Sequence, residues 1–233
     1  MTRHCWAVVP AAGIGRRFGT EIPKQYLDLL GKPVLLHTLE RLMAVPEIAG
    51  VTVALAAQDP WWPGLARDWP KPLRVVTGGA ERVHSVANAV RTLRDELADD
   101  DWILVHDAAR PCVRIDDIRR LLVAVANDPV GGLLGTPVRD TMKQVDGANH
   151  VTVTVDRSRL WHALTPQVFR AGVLETALAT GLADPARITD EASALERGGW
   201  QPLMVEGSAT NLKITHPDDL ALAEFYLRRH AEA

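Results

Sequence analysis

Four short runs, rich in apolar and β-branched residues, set the limits on how this chain can fold. They cover residues 5–9, 51–55, 73–77 and 102–105, the last reading Trp102-Ile103-Leu104-Val105. Each is strand-length, and the runs at 5–9 and 51–55 read as buried strands. Segments of helical period separate them. Leu35, Leu36, Leu39, Leu42 and Met43 follow a turn at Gly31-Lys32, with Pro33 as the first helical residue. Val83, Val86, Ala87, Val90 and Leu93 mark a second helix. Asp116 or Asp117 opens a third, through Leu121, Leu122 and Val125. A fifth strand is expected within 131–138, helices near 170–180 and 190–197, and a late strand at 201–205. Pro217-Asp218-Asp219-Leu220 opens a C-terminal helix. Strands and helices alternating at this spacing predict an α/β fold with a single doubly wound, mostly parallel sheet. Such sheets place their sites at the carboxyl ends of strands.

Three polar clusters each follow a predicted strand, which favours one shared site. The first is Pro10-Ala11-Ala12-Gly13-Ile14-Gly15-Arg16-Arg17-Phe18, with Pro23-Lys24-Gln25 close behind. Small residues at a strand end let backbone N–H groups approach a ligand, and two cations beside them suit a polyphosphate. No Gly-Lys-Ser/Thr follows Gly15, so this is not a P-loop. Phe18 stands where a dinucleotide fingerprint needs Gly or Ala. A Gly-x-Gly alone serves equally well as a plain strand–helix turn. The second cluster is Gly78-Gly79 through Ser85, and the third is His106-Asp107-Ala108-Ala109-Arg110-Pro111.

The net charge of −3 provides no global field for nucleic acid, so any anion binding is local. No apolar run approaches the roughly 20 residues that cross a bilayer, and no signal-peptide core precedes the first strand. Cys5 and Cys112 lack metal-type spacing and read as reduced thiols, so a cytoplasmic location is expected. Trp61, Trp62 and Trp69 sit among prolines in an irregular connection, where packing beneath the loop or a partner contact would both suit them.

Residues 139–160 break the rhythm. Thr141 to Val145, Asp146-Gly147, then Val151 to Val155 read as a β-hairpin. An isolated hairpin is marginal in water, so this one is expected to pack on another subunit. Trp161 to Gln167 then returns the chain to the core, without a strand assigned. The expected organisation is one domain over 1–233, with 139–160 as a β-arm for dimerisation.

In order, the chain carries Ala11-Ala12-Gly13-x-Gly15-Arg16-Arg17, Pro23-Lys24-Gln25-Tyr26, Gly78-Gly79-x-x-Arg82-x-x-Ser85-Val86 and His106-Asp107-Ala108-Ala109-Arg110-Pro111. Next come Pro137-Val138-x-Asp140-Thr141, Arg157-x-x-Leu160-Trp161-x-x-Leu164-Thr165-Pro166-Gln167, Thr189-Asp190-Glu191 and Asn211-x-Lys213-Ile214-Thr215. The opening loop resembles that of the nucleotide-sugar pyrophosphorylases. The ordered set, over about residues 5–228, resembles the 2-C-methyl-D-erythritol 4-phosphate cytidylyltransferases of the non-mevalonate isoprenoid pathway. That resemblance implies a Rossmann-like nucleotidyltransferase fold with a protruding arm, a Mg²⁺-dependent homodimer, and cytidylyl transfer from CTP to the polyol phosphate.

It also implies roles for residues. Arg17 and Lys24 stabilise charge at the α-phosphate and leaving pyrophosphate; the plainer reading is two solvated loop cations. Pro10, Ala11, Ala12, Gly13, Gly15, Gly79, Ala80, Ser85, Asp107 and Ala108 form the CTP site. Ser85 could instead merely cap its helix. Arg157 and Lys213 position the polyol phosphate, together with Asp107, Arg110, Thr141, Thr165 and Thr189. Arg157 could equally be an ordinary hairpin-edge cation. Asp107 is the metal-side carboxylate, or else simply pairs with Arg110. Ser208-Ala209-Thr210 stands where many family members carry an acidic residue, which leaves Asp107 alone in that role. His106 and His162 are read as structural. The rival readings are a cytidylyltransferase for another polyol phosphate, such as ribitol 5-phosphate, and a nucleotide-binding regulatory module without catalysis.

Overall fold

The computed structural model describes residues 4–13, 22–65, 67–182 and 188–231. Gly15 and Arg17 lie outside them.

Strand β1 (Cys5–Pro10) is the centre of the molecule. Cys5, Ala7 and Val9 face one hydrophobic core, and Trp6 and Val8 face the other. Both faces of the strand are therefore buried, which explains its unbroken apolar sequence. Helix α1 (Val34–Met43) and helix α3 (Ile115–Val125) cover the first face with their leucines. Helices α2 (Arg82–Leu93), α4 (Ala171–Gly181) and α5 (Glu191–Arg197) cover the second. Helix α6 (Asp218–Ala231) closes a third cluster with Leu29, Val34, Cys112 and Ile214. Both cysteines are free and buried. No helix of the described residues is long and apolar enough to cross a membrane.

The sheet has seven strands among the described residues. β4 (Ile48–Leu55) and β5 (Leu73–Thr77) run parallel on one side of β1, and β6 (Trp102–Val105) runs parallel on the other. The strand order thus reverses at β1. In open α/β sheets that switch point opens a crevice at the carboxyl ends of the strands. Beyond β6 lie β10 (Trp161–Arg170), β7 (Gly131–Pro137) and β11 (Leu203–Glu206).

β10 departs from the expectation that the chain merely returns to the core here. It is an internal strand, antiparallel to both β6 and β7. Pro166 hid it, because proline cannot donate to a ladder and is confined to edges or bulges. Here the register with β7 breaks between Ala163 and Gln167, so Pro166 sits within the irregularity. A smaller departure is the two-residue ladder of β2 (Asp28–Leu29) and β3 (Lys32–Pro33). Pro33 ends β3 and is the N-cap of α1, one position before its expected place. Likewise Arg114 occupies the N-cap position of α3 without a side-chain cap bond, and Asp116 and Asp117 fall in its first turn, where carboxylates complement the helix dipole.

β8 (Met142–Val145) and β9 (Val151–Val155) form the expected ribbon. Among the described residues it pairs with no strand of the main sheet. It exposes Met142, Val145, Val151 and Val153. Trp62 and Trp69 pack against the first core, while Trp61 is exposed and stacks on Tyr26.

Candidate active site

The loops after β1, β5 and β6 meet at the switch point. Pro10, Ala11, Ala12, Gly13, Gly79, Ala80, Ser85, Asp107 and Ala108 line one cleft with Lys24 and Lys213. All the expected nucleotide contacts within the described residues are therefore brought together. A second hollow adjoins it through Arg82, Asp107 and Lys213, and Arg110, Thr165 and Thr189 line its wall. Thr141 and Arg157 line neither; both are exposed on the arm side of the chain.

The first loop is held from behind. Gln25 is buried, and its Nε2 donates to the carbonyls of Ala11 (2.8 Å) and Gly13 (3.0 Å). Ala11 N–H donates to Ala54 O across the end of β4. The second loop packs directly on the first. A Cβ on Gly78 would lie 2.5 Å from Ala12 Cβ and 2.8 Å from Ser85 Oγ, so only glycine allows this approach. Ser85 is not the helix cap, because Glu81 occupies that position. Its Oγ accepts from Gly79 N–H (3.0 Å) and donates to Glu81 O (3.3 Å). Ser85 thereby fixes the Gly78-Gly79 backbone that faces the cleft.

Asp107 anchors the cation cluster. Its Oδ1 meets Arg82 Nε at 3.0 Å, and its Oδ2 meets Lys213 Nζ at 3.0 Å and Arg110 Nε at 3.3 Å. The pairing with Arg110 exists, as one of three. Burial alone would raise the carboxyl pKa, but Arg82, Lys213 and Arg110 overcome it and hold Asp107 well below the usual carboxylate range. It is therefore ionised at neutral pH. Arg82 also grips the buried Glu191 through both terminal nitrogens, with Nη2 to Oε2 at 2.9 Å. Burial disfavours the charged guanidinium, yet the two carboxylates push its pKa up. Burial pushes the Glu191 carboxyl up while Arg82 pulls it back. Arg82 and Glu191 stand in sequence motifs that imply no role for them. No local signal could pair them, because 109 positions separate them.

The β10 irregularity completes the support. Thr165 Oγ1 accepts from Asp107 N–H (3.1 Å) and meets His106 Nδ1 (2.9 Å). His106 Nε2 meets the Arg110 carbonyl at 3.0 Å, and a carbonyl only accepts, so Nε2 carries the proton. Nδ1 then accepts from the Thr165 hydroxyl. Burial lowers the His106 pKa to about 4, so the ring is neutral in one tautomer. His106 is structural, as read. Thr165 supports Asp107 through this network as well as facing the second hollow. Asn211 Nδ2 donates to Thr165 O (2.7 Å), and Arg110 Nη1 donates to Asn211 O (2.7 Å). Gln167 donates to Asp190 Oδ2 and accepts from Ala192 N–H, which seats the start of α5 and hence Glu191. Lys24 Nζ donates to Ile214 O at 2.9 Å, tying the first loop to the loop that bears Lys213.

The cleft thus combines open backbone, cations from separate elements and the ionised carboxylate of Asp107. That set can bind a polyphosphate and neutralise growing negative charge. Among the described residues it offers no convincing nucleophile. Burial drives the Cys5 and Cys112 thiols up to about 12, and His106 has both nitrogens engaged.

The chain is similar in sequence and in fold to known proteins of one family. The sequence model of the family described as IspD, 2-C-methyl-D-erythritol 4-phosphate cytidylyltransferase, matches residues 5–229. A protein of that description from Hahella chejuensis is 50% identical over 224 residues, covering 96% of this chain and 93% of the relative. One from Dechloromonas aromatica is 51% identical over 233 residues, covering 98% and 99%. The crystal structure of the Francisella tularensis enzyme of this name has a TM-score of 0.82 at 40% identity, covering 96% of this chain and 99% of that one. A Thermus thermophilus structure of the same name gives 0.76 at 32% identity, covering 97% and 99%.

Proposed function

The chain belongs to the 2-C-methyl-D-erythritol 4-phosphate cytidylyltransferase family, and from that we propose how its cleft carries out the reaction. The enzyme transfers the cytidylyl group of CTP to 2-C-methyl-D-erythritol 4-phosphate, giving the CDP-alcohol and pyrophosphate in isoprenoid precursor biosynthesis. An oxygen of the substrate phosphate attacks the α-phosphorus of CTP. A new P–O bond forms there, the bond to the bridging oxygen breaks, and its electron pair leaves on pyrophosphate. The attacking oxygen is already anionic, so no general base is needed. The protein's task is to bring two polyanions into line and offset the charge that grows on the leaving group.

The carrying observation is that Arg82, Arg110 and Lys213 converge on Asp107 where the cleft and the adjoining hollow meet, with Lys24 lining the cleft beside them. We assign the triphosphate to the first loop, with Lys24 and Arg17 at the α-phosphate and the leaving group. The base lies against Gly79, Ala80 and Ser85. The polyol phosphate takes the adjoining hollow, with Lys213, Arg110 and Thr189 from this chain. Lys213 would exchange Asp107 for the phosphate oxygens on binding.

Among the described residues Thr141 and Arg157 line neither hollow of their own chain, and the ribbon exposes an apolar face. That supports a homodimer in which the arm delivers both residues to the neighbouring subunit's site. We place the enzyme in the cytoplasm, where its two thiols stay reduced.

Mg²⁺ would enter this site together with the nucleotide, with Asp107 as the protein carboxylate beside it. Among the described residues no group of three His, Cys, Asp or Glu side chains could cage a metal. Mg²⁺ is commonly bound by one or two carboxylates plus substrate phosphates, and the ionised Asp107 supplies one. Bound there, the ion would neutralise charge on the triphosphate.

The test is pyrophosphate release with CTP, ATP and GTP against a panel of polyol phosphates. Release with CTP and methylerythritol phosphate, far above CTP with ribitol 5-phosphate or any purine nucleotide, is expected. Equal turnover with a purine nucleotide would overturn the base assignment, and preference for ribitol 5-phosphate would overturn the acceptor.

A further inference from the structure

A cavity of about 460 Å³ lies away from the cleft, where α1, the start of α3 and the end of α6 come together. Arg41, Arg114, Arg229 and His230 line it, along with Thr210 and Asp116. Three guanidiniums from three separate elements therefore face one space. Among the described residues Arg41 has no hydrogen bond or ion pair, and Arg229 only lies over the Phe225 ring at 5.8 Å. Arg114 has Asp116 Oδ2 at 3.9 Å, beyond hydrogen-bond reach.

The carboxylates nearby do not neutralise them. Asp116 is three-quarters exposed, and the buried Asp117 is engaged by Arg120 and Ser208 N–H. Arg114 makes no side-chain cap bond to α3, and Ile115 and Asp116 of that helix's first turn line the same space. His230 adds an independent sign. Its Nδ1 is buried without a partner, while Nε2 meets only Thr210 Oγ1, at 3.5 Å. Burial, then Arg41, Arg114 and Arg229, all lower its pKa against Asp117, so the three cations do converge on it.

We propose that this cavity is a second anion site, distinct from the cleft, which binds a multiply charged phosphate group. Guanidinium forks and a helix N-terminus suit phosphate oxygens, and three forks from three directions exceed what one carboxylate can satisfy. The ligand is inorganic pyrophosphate or the phosphate of an organic ester; both present the same oxygens. The inference goes beyond the catalytic reading and does not depend on it. The position also has a structural link to the cleft. Thr210 precedes Asn211, which holds Arg110 and Thr165, and Lys213 follows on the same loop.

The experiment is calorimetric titration of the full chain with pyrophosphate, orthophosphate, glycerol 3-phosphate and citrate. The cleft is blocked with saturating CTP in one arm and disabled by Lys24→Ala in another. The expected result is one further equivalent of a phosphate ligand per chain in both arms. Arg41→Gln with Arg229→Gln should weaken that binding at least about tenfold for each charge-assisted hydrogen bond lost, with turnover and circular dichroism unchanged. Tighter binding of pyrophosphate identifies the inorganic ligand, and tighter binding of glycerol 3-phosphate the organic one. Citrate binding as tightly as either, no second equivalent, or wild-type affinity in the double variant each overturns the proposal. So does a double variant that alters the oligomeric state and not the anion affinity, because the cavity is then an interface.

Discussion

Replacing Asp107 by Asn keeps the side-chain volume and removes one buried charge. The three cations it serves lose unequally. Arg82 retains Glu191 and Arg110 retains the Asn211 carbonyl, while Lys213, 38% exposed, turns to water. Removing one partner of a buried pair costs about 3–5 kcal/mol when the other is stranded. Retained partners and solvent screening bring this down to about 2–4 kcal/mol at pH 7. For a chain of this size, that lowers Tm by roughly 5–15 °C. The pH dependence has a definite sign. The folded-state pKa of Asp107 is depressed, so its contribution is complete above the unfolded value of about 3.9 and is lost as pH falls through the folded value. Urea unfolding of both proteins should show a gap that is constant from about pH 5 to 8 and narrows below about 4. Equal stability at pH 7, or a gap that persists undiminished to the lowest pH at which wild type stays folded, would refute the three-cation anchor.

Two further outcomes concern catalysis. Lys24 ties its loop to a backbone carbonyl, a contact whose loss the fold can absorb, so Lys24→Ala should fold normally yet lose about a hundred- to a thousandfold in kcat; near-normal turnover returns it to the role of a loop tie. Mixing the inactive Lys24→Ala and Arg157→Ala proteins under subunit exchange should restore activity toward about a quarter of wild type, since half the dimers are mixed and each holds one intact site. No recovery despite proven exchange would place Arg157 within its own chain's site.

The parts of this molecule legible in the sequence are those fixed by local pattern. β5 and β6 follow their apolar runs to the residue, and the ribbon follows its alternation and Asp146-Gly147 turn. The three strand-end clusters were expected to share a crevice in a doubly wound sheet, and each contributes described residues to its lining. What stayed hidden depends on distant contacts. β10 carries Trp161-His162 and Pro166 where a core strand is expected to be apolar, and its place is set by pairing with β6 and β7. Arg82 reads as one more helix cation until Glu191 arrives from the other end of the chain. Ser85 could have been base contact or cap; its bond to Gly79 shows a third use, as a clamp on the loop.

The central claim is that the two substrates react directly, in line, with the protein supplying position and charge and no covalent intermediate. CTP made chiral at the α-phosphorus by a single sulfur substitution tests this most directly. After turnover with methylerythritol phosphate, the configuration of the CDP-alcohol at that phosphorus is read by ³¹P NMR. A single displacement predicts inversion. Retention would require two displacements through a nucleotidylated side chain, and would contradict the account.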